Sequence, residues 1–143
     1  MNVPNQRIVY VNGEFVPESE AKIPFRDRGV KFGDAVFDTT RTFGHDIFRL
    51  REHLERFYRS LKYLRIDSGM TIDEFISVTE QVVARNLPLI GKDEDYWVTQ
   101  RVTRGTEPGD RTHGPEWDGP TVIVEGLPLP LAARAASYRD GLD

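Results

Sequence analysis

The alternation of apolar and polar positions divides this chain into short strands and two longer helices. "RIVYVNGEFV" reads as two strands joined at Asn12-Gly13, a dipeptide suited to the tight turn of a hairpin because both positions accept positive φ. "IPFRDRGVKFGD" follows as an irregular connection punctuated by Pro24, Gly29 and Gly33. "AVFDTTRTF" then alternates as a strand rich in β-branched and aromatic residues, and "GHD" turns it into a second strand, "IFRL". Leu50, Leu54, Phe57, Leu61 and Leu64 recur at helical spacing and define one apolar stripe. A second helix starts at Thr71, whose hydroxyl and Glu74 form a capping box in "TIDE", and it ends by Asn86 because Pro88 follows closely. "DYWVTQRVTRG" and "PTVIVEG" are strands on either side of a long glycine- and proline-punctuated loop.

After Gly126 the character changes. "LPLPL" reads as an extended connector, and "AARAASYRDGLD" has no core of its own. The expected organisation is a small α+β domain over residues 1–126, an antiparallel sheet with two main helices. Residues 127–143 are then an interdomain linker and the start of a second domain that this chain does not contain.

Composition narrows the function classes. With 143 residues, 38% hydrophobic and 29% charged, the chain fits one water-soluble domain. A net charge of −4 gives no basic field for nucleic acid or anionic membrane. No apolar run is long enough to span a bilayer and no signal-peptide pattern opens the sequence, so a cytoplasmic location is expected. There is no cysteine, and His45, His53 and His113 are too scattered for a zinc motif, so no metal site is expected.

Three places carry candidate chemistry. On the first helix, Arg59 points away from the leucine stripe, whereas Arg56 sits about 110° from its centre. At that boundary a guanidinium can keep its stem packed and present a fork of donors to a carboxylate or phosphate. By position alone, a surface ion pair is the more ordinary reading of Arg56. His53 falls toward the apolar edge, where a packing role is commoner than a catalytic one. On the "VFDTTRTF" strand, Phe37, Thr39 and Arg41 share one face, and Val36, Asp38 and Thr40 share the other. A cation beside an aromatic ring suits an anion with an apolar tail, and it equally suits a half-exposed sheet face. In the long loop, Arg111 and His113 flank one threonine and offer a fork and a further donor to a carboxylate. Glu107, Asp110 and Glu116 compete for them locally.

Taken in order, "YVNGEFV", "DRGVKFGDAVFDTTRTF", "REHLERFYRSLKYLRI" and "RVTRGTEPGDRTH" resemble the amino-terminal domain of class IV pyridoxal-phosphate aminotransferases. That family has fold type IV and includes branched-chain, D-amino-acid and (R)-amine transaminases and aminodeoxychorismate lyase. The resemblance implies a pyridoxal 5'-phosphate enzyme that passes an amino group between an amino acid or primary amine and a 2-oxo acid. It implies that Arg56, in the "EH-x-x-R" pattern with Glu52 and His53, binds the cofactor phosphate. Phe32 and Phe37 would line the substrate pocket, with Arg41 matching an arginine of the branched-chain enzymes. Arg111 and His113 match an "R-x-H" loop that reaches across a homodimer interface to the neighbouring active site and holds the substrate carboxylate.

The family's Schiff-base lysine lies in its second domain, and Lys22, Lys31, Lys62 and Lys92 do not match it. No catalytic residue is therefore expected in this chain, and the lysine is expected beyond Asp143. "DTTR" and "GDRTH" favour a transaminase over the lyase. The alternatives are aminodeoxychorismate lyase on the same fold, or a non-catalytic binding domain if the chain really ends at residue 143.

Overall fold

The computed structural model describes residues 6–107 and 119–141. In chain order these form β1 (Ile8–Val11), β2 (Glu14–Pro17), α1 (Arg28–Phe32), β3 (Ala35–Phe43), β4 (Asp46–Ile47), α2 (Leu50–Leu64), α3 (Ile72–Asn86), β5 (Tyr96–Thr103), β6 (Val122–Pro128) and α4 (Leu131–Asp140). The strands make one antiparallel sheet in the order β2-β1-β6-β5-β3-β4. This is the α+β arrangement the sequence patterns predict.

The core lies between one face of the sheet and the pair α2–α3. Leu54 and Phe57 of α2 and Phe75 and Val82 of α3 are fully buried against Val36, Val102 and Val124 of the strands. Edge-to-face contacts join Phe57, Tyr58 and Phe75, which fixes how the two helices pack. Alternation along β3 is as expected: Val36, Asp38 and Thr40 are buried, while Phe37 is 65% exposed on the opposite face. Thr71 caps α3 in the anticipated box, its hydroxyl accepting from the Glu74 amide while the Glu74 carboxylate accepts from the Thr71 amide.

Four expectations need correction. The connection between β2 and β3 contains a helix, α1, because the Asp27 carboxylate accepts the Gly29 amide at 2.6 Å and Gly33 closes the turn at φ 68°. One turn is too short to show an apolar period. The strand expected over "IFRL" shrinks to Asp46–Ile47, because Arg49 at φ 45° turns the chain and the Thr40 hydroxyl donates to the Phe48 carbonyl at 2.6 Å. Leu64 is half-exposed rather than core, since α2 stops there with Arg65 in the left-handed region and Ile66 fills the apolar site instead. Finally, β6 runs past Gly126 to Pro128, and residues 131–140 are helical, although α4 buries nothing.

Candidate functional site

The site is built where α2 crosses the start of β3. The outer edge of β3 is paired only at Thr42 and Phe43, so its first residues have no strand beside them among the described residues. Residues 35–37, Arg56, Arg59 and Tyr63 border an open cleft of 520 Å³ along that edge. Arg56 and Phe37 therefore border the same cleft.

Asp38 controls the geometry of Arg56. Its side chain is 5% exposed, on the core-facing side of β3. Arg56 donates to it from Nε at 2.7 Å and from Nη2 at 2.8 Å, a bidentate fork. His53 Nδ1 lies 2.7 Å from the same carboxylate. Burial alone would raise the Asp38 carboxyl, but the bonds from Arg56 and His53 more than reverse this and hold it below the usual carboxylate range. The fork in turn raises the Arg56 guanidinium further. Among the described residues, Arg56 Nη1 has no partner. One edge of the guanidinium is thus fixed on Asp38, while the side chain borders the open cleft.

The far side of the sheet carries a second group of polar and aromatic side chains. Phe37 is the register partner of Arg101 on β5, whose guanidinium lies 5.9 Å from the ring centre. Arg101 also pairs with Glu125 of β6 at 3.2 Å. Next along the ladder, the hydroxyls of Thr39 and Thr99 are 3.0 Å apart.

Other predicted residues lie apart from the cleft. Arg41 is engaged at the opposite end of β3, where it donates to Asp95 at 3.2 Å and to the Thr42 carbonyl at 2.9 Å and covers the Phe43 ring. Phe32 projects from α1 with Arg28 and Lys31 over its ring, and it does not line the cleft. Arg111 and His113 lie outside the described residues. The stems of their loop are anchored firmly. Asp27, fully buried, accepts the Thr103 hydroxyl at 2.7 Å and the Thr121 hydroxyl at 2.5 Å, tying α1 to the ends of both flanking strands. Arg104 forks onto Asp34 at 2.6 and 3.1 Å, which lowers the Asp34 carboxyl, and also donates to the Leu64 and Arg65 carbonyls at the end of α2.

Asp38 and Arg101 are the site residues that sequence reasoning missed. Alternation placed Asp38 on the buried face, where an unpaired carboxylate is costly, and that was the available sign of a cationic partner. Arg101 required the β3–β5 register.

Comparison with known proteins agrees with this architecture. The family model for class IV amino-transferases matches residues 35–138. The D-alanine aminotransferase of Staphylococcus haemolyticus is 35% identical over 100 residues, 70% of this chain and 34% of that protein. A protein of Methanocaldococcus jannaschii named as a putative branched-chain-amino-acid aminotransferase is 37% identical over 124 residues, 85% of this chain and 40% of its own length. Among solved structures, a branched-chain amino acid aminotransferase complexed with N-(5'-phosphopyridoxyl)-L-glutamate superposes with a TM-score of 0.69 at 25% identity, over 85% of this chain and 40% of that one. A hypothetical aminotransferase from Mycobacterium tuberculosis, in its PLP-bound form, shares the fold with a TM-score of 0.76 at 20% identity, over 93% of this chain and 43% of that one. The chain belongs to the class IV aminotransferase family and has the fold of its fold-type-IV small domain. It spans 34% to 40% of the length of the first two relatives.

Proposed function

We propose that this chain is the amino-terminal, anion-recognising domain of a pyridoxal-phosphate-dependent transaminase. The complete enzyme would move an amino group between an amino acid or primary amine, of branched-chain, D-amino-acid or (R)-amine type, and a 2-oxo acid. The observation that carries this reading is the Arg56–Asp38 fork at the edge of an open cleft beside Phe37. Its donor set suits a phosphate ester: a guanidinium held by one edge, its Nη1 without a partner among the described residues, with solvent access for a large ligand.

When bound, pyridoxal phosphate supplies the electron sink for charge developing at the substrate α-carbon. The residues of this chain bind and orient. Arg56 holds the phosphate, Asp38 prevents Arg56 from rotating away, and Phe37 gives an apolar wall. Arg101, next to Phe37, has its charge matched by Glu125 and offers hydrogen-bond donors to a carboxylate-bearing substrate. We assign Arg111 and His113 the same task from the neighbouring subunit of a homodimer, with Phe32 near that boundary. Arg41 is the weaker candidate, because its donors face Asp95 and a backbone carbonyl. Residues 127–143 lead into a second domain that holds the attachment lysine, and the enzyme works in the cytoplasm.

Arg56→Ala in the complete enzyme tests this reading. Losing a charge-assisted bond to phosphate costs roughly 1.5–3 kcal/mol, about one to two decades in cofactor affinity. Affinity that stays constant while the melting temperature collapses would assign Arg56 to the Asp38 ion pair alone.

A further inference from the structure

The charge of the cleft does not close on Arg56. With Asp38 seated in its fork, the pair sums to a formal charge of zero. A phosphate monoester carries about −1.5 to −2 charge near neutral pH. A pair of zero formal charge gives such a group directed hydrogen bonds and the pull of its nearer, positive end, but no net charge to match it. A further cation at the cleft would add that charge.

Arg59 stands three residues further along α2, on the adjacent turn of the same side of the helix, and it borders the same cleft. It is exposed, and among the described residues it makes no ion pair or hydrogen bond. An unpaired arginine on a helix surface is ordinary by itself. This one lies beside an arginine whose charge is already matched, at the mouth of a cleft that would hold a dianion. Ser60 also borders the cleft, and its hydroxyl donates to the Arg56 carbonyl at 3.3 Å. Among the described residues, no acidic side chain borders the cleft to neutralise Arg59.

We propose that Arg59 is the second phosphate-binding cation of this cleft, giving it the net positive charge that the Arg56–Asp38 pair lacks. The proposal rests on the reading of the cleft as the cofactor phosphate site. The division of labour follows from the geometry. Arg56 is oriented from behind by Asp38 and supplies direction, whereas Arg59 is free to swing and supplies charge. Arg59 should therefore act through charge more than through exact geometry, so lysine should replace it in part.

The test is a fluorescence titration of the complete enzyme and its Arg56→Ala, Arg59→Gln and Arg59→Lys variants. The two probes are pyridoxal 5'-phosphate and pyridoxal, which lacks the phosphate, each at low and high salt. Arg59→Gln should weaken pyridoxal 5'-phosphate about two- to fivefold at low salt and leave pyridoxal unchanged. The difference should shrink at high salt, and Arg59→Lys should recover part of it. Since Arg59 is exposed, the melting temperature should hold. Equal effects on the two probes, or none on either, would overturn the assignment. If Arg56→Ala also leaves pyridoxal 5'-phosphate unaffected, the phosphate reading of the cleft falls. If Arg56→Ala weakens it and Arg59→Gln does not, only the role of Arg59 falls.

Discussion

At the scale of single residues, Asp38 decides more than its neighbours. A nearly buried carboxylate is held ionised by Arg56 and His53, and its pKa lies below the unfolded value. A group depressed in this way contributes stability that is full above about pH 4, the ordinary aspartate value, and that is lost as pH falls through the lowered folded pKa. Asp38→Asn should therefore cost about 1–2 kcal/mol at pH 7, discounted for the solvent exposure of Arg56, and progressively less as the medium is acidified below pH 4. Urea denaturation of both proteins at pH 7 and pH 3 measures this. A penalty of the same size at both values would mean that Asp38 acts by shape rather than charge. The boundary position of Arg56 was legible from helical periodicity, and the buried face of Asp38 from strand alternation. Their pairing was not, because it joins residues 18 apart on different elements, and only the crossing of α2 over β3 brings them together. Arg41 shows the converse. Its face was correctly read, yet Asp95, which it contacts, sits 54 residues away at the entry to β5.

At the scale of elements, the sequence spoke clearly wherever local chemistry closes the element. The Asn12-Gly13 turn, the Thr71 cap and the apolar stripe of α2 each involve residues within a few positions. α1 escaped because its capping signals lie in a segment dense with glycine and proline, and its length gives periodicity no room. The stems of the 108–118 segment depend on a contact that no local pattern contains. Gly105 has φ 73°, and a Cβ built there would lie 1.5 Å from the Gly119 carbonyl oxygen, while Thr106 bridges to Gly119. Only a residue without a side chain permits this approach. Gly105→Ala should thus destabilise the domain by roughly 3 kcal/mol or more, combining positive-φ strain with a backbone clash that cannot relax cheaply. Thermal unfolding of the variant checks this. A shift of only a degree or two would show that the two stems separate without consequence for the fold.

At the scale of the whole molecule, the two faces of the sheet are unequal. One is sealed by α2 and α3. The other presents Phe37, Arg101 and the Thr39–Thr99 pair, and the large apolar side chains Phe25, Val30 and Phe32 around α1 are also exposed. The order of motifs made the family legible, and alternation made the two faces legible. An intrachain pattern reports which residues a face exposes and not what would cover them. The lysines bear on the same division. A lysine that attaches a carbonyl cofactor needs a desolvated or electropositive pocket that activates its amine. Lys22, Lys31, Lys62 and Lys92 are all exposed, and none borders the Arg56 cleft. Lys31 lies over the Phe32 ring on α1, and Lys62 is on the last turn of α2. Incubating the 143-residue chain with pyridoxal 5'-phosphate, reducing with borohydride and mapping the label by mass spectrometry should therefore give only scattered, substoichiometric modification. Incubation with an amino acid and a 2-oxo acid should give no turnover. Stoichiometric label at one of these lysines, accompanied by turnover, would show that this domain carries its own attachment point and that the proposed division between two domains is mistaken.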